Sequence, residues 1–147
     1  MSENVKFYPM YRGGKKLAYP NFPAEAGKYA AAVVAGNLIF ISGCEGQNEE
    51  TIRVETDVFE EQMIIALDKV RKCMEDAGSC MNNVIKTMLL LKRREDYPKM
   101  RRTELEYYQK YAPMLVEDPP ASTVMVVELA KPEFLIEIDV VGVISRD

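Results

Sequence analysis

Apolar and polar positions along this chain repeat with two different periods, and the switches between them mark its elements. Residues 1–27 read as a short strand followed by an irregular lead-in, carrying Pro9, Gly13-Gly14, Pro20 and Pro23. "KYAAAVVAGNLIFISG" comes next, with apolar runs at 29–35 and 38–42 separated by Gly36-Asn37, a pair suited to the positive φ of a tight hairpin turn. The alanines leave helix as the competing reading of the first run, while the glycine and the isoleucine-rich second run favour strand. The period then lengthens. Phe59, Met63, Ala66, Val70, Met74 and Ala77 recur at helical spacing, Asp57 and Glu60 form an approximate capping box ahead of them, and Gly78 closes the helix. "VIKTMLLL" (84–91) is a strand too apolar to face water on either side. A second helix is predicted from about Asp96 to Tyr111, with Pro98 tolerated in its first turn. "PPASTVMVVELAKPEFLIEIDVV" (119–141) reads as two adjacent strands with a proline-stopped turn between them. In the second, Ile136, Ile138 and Val140 alternate with Glu137, Asp139 and Val141, which sets two carboxylates on one face of an apolar strand.

The order of strand, hairpin, helix, strand, helix, strand, strand predicts an α+β sandwich, one sheet with both helices on the same side. The other face of the sheet would stay uncovered, yet alternate residues of the strands there are still apolar. That face is expected to be buried against other subunits. Ile136, Ile138 and Val140 should then meet the helices, and Glu137 and Asp139 should point to the face or rim where subunits meet.

Composition narrows the chemistry. The chain has 147 residues, the size of a single domain spanning 1–147. No run approaches the length of a membrane span and no basic segment leads into an apolar one, so a cytoplasmic protein without membrane contact is expected. The three cysteines, Cys44, Cys73 and Cys80, make no C-x-x-C pair and read as reduced thiols. Histidine is absent, which removes Ser-His-Asp and Cys-His nucleophile systems and the commonest zinc ligand, so no metal site is expected. Acid–base work falls to Glu, Asp, Tyr, Lys, Cys or water. A net charge of −4 argues against nucleic acid as a partner, and the basic cluster of Lys92, Arg93, Arg94, Arg101 and Arg102 is interrupted by Glu95 and Asp96.

Several stretches together carry a family resemblance. "AGKYAAAVVAGNLIFISGCEG" resembles the G-x-Y…S-G segment of the Rid family, also called the YjgF family of reactive-intermediate deaminases. "EEQMIIALDKVRKCMEDAGSCMNNVIKTMLLLK" is similar to its central helix, A-G turn and V-x-K-x strand. "YYQKYAP" and "PPASTVMVVELAKPEFLIEIDVVGV" resemble its second helix and its closing P-A-R-[ST] and I-E-I-[ED] hairpin. The match runs from about 24 to 144, and the order and spacing of the segments carry it. The resemblance implies a chorismate-mutase-like β-β-β-α-β-α-β-β sandwich with one mixed sheet. It also implies a homotrimer with small-molecule sites in the clefts between subunits, and hydrolysis of 2-imino and enamine acids to 2-keto acids and ammonia with no metal or organic cofactor. Endoribonuclease and translation inhibitor are other labels attached to the family; they fit poorly with a histidine-free, acidic chain.

Residue by residue, the resemblance places Tyr29 at the family's cleft tyrosine and Glu137 at the glutamate that holds or activates water. Gly43 follows Ser42 in the S-G turn, and Thr123 stands where many members have cysteine. Three positions depart from the pattern. The arginine that grips the substrate carboxylate falls on Ala121, or on Ser122 with a shift of one residue. The glutamine after S-G is Cys44, and an asparagine of the second helix is Arg101. Loss of a guanidinium fork removes both charge and geometry from a carboxylate site. Arg101 could replace it or lie on a solvated helix face. Glu137 could be a general base or a structural carboxylate. Tyr29 could be a catalytic proton donor or, since an unperturbed phenol stays protonated near neutrality, cleft lining. Cys44 could be a nucleophile or, with no basic neighbour evident, a small apolar filler. Two functions follow: a Rid-type hydrolase with altered substrate choice, or a non-catalytic trimer that binds a metabolite. With Ala121 in the cleft, a neutral or amine-bearing ligand is expected to be preferred over a compact carboxylate.

Overall fold

The computed structural model describes residues 4–12, 15–16 and 27–146, so most of the predicted lead-in lies outside the described residues. The predicted first strand is β1, Val5–Tyr8. Strands β2 (Ala32–Ala35) and β3 (Leu38–Glu45) form the expected hairpin, and Gly36 at its turn has φ 61°, a conformation glycine adopts without steric cost. Helix α1 spans Phe59–Asp76 and buries Phe59, Met63, Ala66, Leu67, Val70 and Met74 along one stripe. Strand β4 is Val84–Leu91, helix α2 is Tyr97–Tyr111, and a single turn, α3, covers Met114–Glu117. Strands β5 (Ala121–Val126) and β6 (Ile136–Val143) complete a six-stranded mixed sheet in the order β1-β2-β3-β6-β4-β5.

Two sequence expectations are corrected. The segments at 121–126 and 136–143 do not form a closing hairpin: β5 pairs in parallel with β4, and β6 lies between β4 and β3, antiparallel to both. The cause is α2. A helix between β4 and β5 carries the chain back to the start of the sheet, so β5 runs alongside β4 in the same direction. The connection from β5 then crosses to the far side of β4 before β6 begins. The capping box at Asp57 and Glu60 is also absent: the N-cap is Val58, no side chain caps the helix, and the Val58 N–H donates to Thr56 Oγ1 at 3.1 Å. The C-terminus ends as predicted, with the Gly78 N–H bonded to Glu75 O and the Ser79 N–H to Met74 O, a Schellman pattern.

Alternation decides which face each strand residue takes. Ile39, Ile41, Thr87, Leu89, Leu91, Ile136, Ile138 and Val140 are buried on the helix side. On the opposite face, Phe7, Val33, Phe40, Val141, Lys86 and Ala121 are cross-strand neighbours in one unbroken row over all six strands. Phe7, Leu38, Phe40 and Met125 are exposed there, while Val33, Met88, Leu90 and Val141 are half-buried. A folded monomer leaves this broad apolar surface in water.

A buried glutamine holds the β5–β6 connection onto the helix layer. The Gln62 side-chain amide donates to Thr56 O at 2.8 Å and Glu133 O at 3.0 Å, and its Oε1 accepts the Leu135 N–H at 2.9 Å. Gln62 is fully buried, so Gln62→Ala strands the Leu135 N–H away from water. We expect urea unfolding of this variant to show a loss of about 3 kcal/mol; a loss below about 1 kcal/mol would mean water replaces the amide.

Candidate functional site

Alternation along β6 turns Glu137 to the open face, where its strand neighbours are Glu45 on β3 and Leu90 on β4. Glu137 is half-buried, and a Cβ built on Gly43 would lie 2.8 Å from its Oε1. Glycine at 43 is therefore what leaves room for the carboxylate to lie across β3. Burial first, then the charges of Glu45 and Asp139, raises the Glu137 carboxyl above the ordinary glutamate range. Glu45 itself is held by Lys69 of α1, Nζ to Oε1 at 2.7 Å. A carboxyl shifted in this direction, in reach of a surface that another molecule can cover, can take a proton from water and return it.

Gly43 also lines a cavity of about 60 Å³ together with Tyr29, Ser42, Cys44, Glu45, Lys69 and Cys73. The Ser42 hydroxyl donates to Ala30 O at 2.6 Å, which ties β3 to the segment that carries Tyr29. Cys44 is buried and donates to Ser42 O at 3.3 Å. Burial, with the neighbouring Cys73 adding to it, pushes the Cys44 thiol well above its ordinary value, so it stays protonated and fills space. Cys73 is pushed up to about 11 by burial in the same way.

The remaining expected residues gather elsewhere. Ala121 pairs with Lys86, and Lys86 with Val141, so Ala121 lies level with a residue four positions from Glu137 and two strands away. Standard strand spacings put the two roughly 16 Å apart across the sheet. Within one chain, then, Glu137 lies against Gly43, whose cavity also takes in Tyr29 and Cys44, while Ala121, Ser122 and Thr123 lie together on β5. Ala121 and Thr123 point to the open face while Ser122, between them, points to the helix side. Arg101 reaches that side: its Nη2 lies 3.4 Å from Ser122 Oγ, its Nη1 donates to Glu104 at 2.9 Å and its Nε to the Tyr97 hydroxyl at 3.2 Å. Arg101 is neither fully solvated nor placed in the space above Ala121. The sheet separates the two.

Lys86 stands outside the site residues expected from the sequence pattern. Its Nζ donates to Thr123 Oγ1 at 2.8 Å, which puts an ammonium beside Ala121 on the open face. A lone lysine in the apolar run "VIKTMLLL" was the available signal, but its neighbour on β5 is 35 positions away and only the register shows the pairing. Among the described residues no group of three or more Cys, Asp or Glu could hold a metal ion, and no helix is long and apolar enough to cross a membrane.

A family model described as Endoribonuclease L-PSP matches residues 20–144. The chain is 31% identical over 129 residues to 2-iminobutanoate/2-iminopropanoate deaminase of Escherichia coli, covering 88% of this chain and 97% of that one. It is 30% identical over 122 residues to a RutC family protein of Pyrococcus horikoshii, covering 83% of this chain and 91% of that one. Among solved structures, a YjgF family member from Neisseria meningitidis superposes with a TM-score of 0.71 at 22% identity, over 100% of this chain and 99% of that one, a likeness of fold.

Proposed function

The chain belongs to the endoribonuclease L-PSP family, the YjgF or Rid proteins, and on that premise we propose that it is a homotrimer hydrolysing small imines or enamines in clefts between its subunits. The observation that carries the reading is the Glu137 carboxyl, raised by burial, lying across Gly43 on an apolar face that has room for a second copy. In one chain the two residue clusters are too far apart to hold one small molecule. A neighbouring subunit packed on the open face would bring the Ala121–Thr123 cluster of one chain against the Glu137 cluster of the next.

Glu137 takes a proton from water as the oxygen attacks the C=N carbon and delivers it to the imine nitrogen, which gives a carbinolamine. The same carboxylate then takes the hydroxyl proton of the carbinolamine and passes it to the amine nitrogen, the C–N bond breaks, ammonia leaves and a carbonyl remains. Tyr29 lines the approach. Ala121 in place of a guanidinium favours the second reading, a trimer that binds a metabolite in the same cleft without turning it over. A ribonuclease reading lacks support from an acidic chain with no histidine.

The two readings separate in one assay. Enamine generated in situ by a dehydratase should disappear faster with the purified protein present, with keto acid and ammonia formed in equal amounts, and sedimentation should give three times the chain mass. Binding without acceleration selects the second reading. A stable monomer at micromolar concentration would remove the basis of both.

A further inference from the structure

Strand β4 is apolar except at Lys86 and at Thr87, which points into the core. Lys86 is half-buried on the open face, between Ala121 of β5 and Val141 of β6, with Met88 two residues along on the same side. Its one hydrogen bond among the described residues is to Thr123 Oγ1, and it forms no ion pair there within 4.0 Å. The acid on this face nearest to it by register is Asp139, one strand across and two positions along, a diagonal step of roughly 7–8 Å in sheet geometry. An ammonium has three donors and Thr123 takes one. Covering the face with another subunit would strip water from the other two and leave a desolvated cation without a partner.

We infer that Lys86 is the anchor for the carboxylate of a small 2-imino or 2-keto acid, which lies over the methyl of Ala121. The Thr123 hydroxyl accepts from Lys86, so its own O–H is left to donate to the same carboxylate. Ala121 supplies the volume, since nothing larger than a methyl stands between the ammonium and the ligand. The inference rests on the intersubunit reading above and deepens it by naming the residue that holds the acid group where the guanidinium is missing. It reverses the preference for neutral or amine-bearing ligands expected from Ala121 alone, because the cation missing at 121 is present one strand away. An ammonium is a point charge and lacks the planar fork of a guanidinium, so the ligand is held by charge with less control of its orientation.

The test combines calorimetric titration of 2-ketobutyrate with steady-state hydrolysis of 2-iminobutanoate, on wild type, Lys86→Met, Lys86→Arg and the double variant Ala121→Arg with Lys86→Met. Sedimentation confirms the assembly of each. Lys86→Met should raise the 2-ketobutyrate Kd and the KM at least tenfold with a smaller change in kcat, the pattern of lost ground-state binding. Lys86→Arg should keep both near wild type, and Ala121→Arg should restore binding to the methionine variant. Wild-type hydrolysis unchanged by Lys86→Met would overturn the anchor and leave the deaminase reading standing. Binding of 2-ketobutyrate that depends on Lys86 without hydrolysis would keep the anchor and sink the deaminase reading. No 2-ketobutyrate binding by the wild-type assembly overturns the anchor. So does a Lys86→Met chain that falls to monomers while Lys86→Arg, still assembled, binds no ligand, since Lys86 would then serve the interface alone.

Discussion

Glu137→Gln should lower kcat for imine hydrolysis at least a hundredfold and, at neutral pH, raise the melting temperature of the protein that carries it. The first effect follows from removing a positioned general base, worth roughly 10²–10⁴ in rate. The second comes from linkage. The native carboxyl has a higher pKa than in the unfolded chain, because burial and then Glu45 and Asp139 oppose its ionisation. The native state therefore binds this proton more tightly, and stability falls as pH rises from the ordinary glutamate value through the raised one. Above that interval the wild type carries the whole penalty and the glutamine variant carries none. Below the ordinary glutamate value both are neutral at 137 and the difference in Tm closes. In the wild type, kcat/KM should fall on acidification through the raised pKa. Loss of activity with no gain in Tm at pH 7 would show that Glu137 is ion-paired in the assembly and is a structural carboxylate.

Ala121→Arg is the second large effect: activity on 2-iminobutanoate should rise at least tenfold. A charge-assisted bidentate contact in a covered cleft is worth about 2–4 kcal/mol, of which part is already supplied by the point charge of Lys86. The side chain at 121 is exposed on the open face, so an arginine there needs no repacking of the core. The gain should fall mainly on KM, and more steeply when Lys86 is methionine. No gain in a correctly assembled protein would mean that the cleft differs from its relatives in more than this residue.

Local signals in the chain set out most of the elements. The hairpin at Gly36-Asn37 and the stripe of α1 are short-range patterns, and both formed where the sequence placed them. The exchange of a closing hairpin for a parallel β4–β5 pair was not legible, because consecutive strands usually neighbour one another and nothing in "LAKPEF" marks a crossing. That one difference hid the site's second cluster. Lys86 meets Thr123 only because β5 runs beside β4 in a particular register. Glu137 was legible as a carboxylate on an apolar strand, but its raised pKa depends first on burial in the folded sheet and then on Glu45, brought opposite it from more than ninety positions away. Arg101 was legible as a cation near the site; which side of the sheet it occupies was not, since that turns on the odd or even position of Ser122 relative to Ala121.

The central place of β6 has a consequence for biosynthesis. It is translated after the other five strands of the sheet, yet it alone bridges β3 and β4. Until it emerges from the ribosome, the β1-β2-β3 ribbon and the β4–β5 pair are two separate half-sheets, each with an open edge facing outward. Those edges are templates for pairing with another nascent chain. The interval between translation of β5 and of β6 is therefore when chaperone protection matters most. A premature stop between Val126 and Ile136 would release two halves with no strand to join them, not a weakened version of the protein.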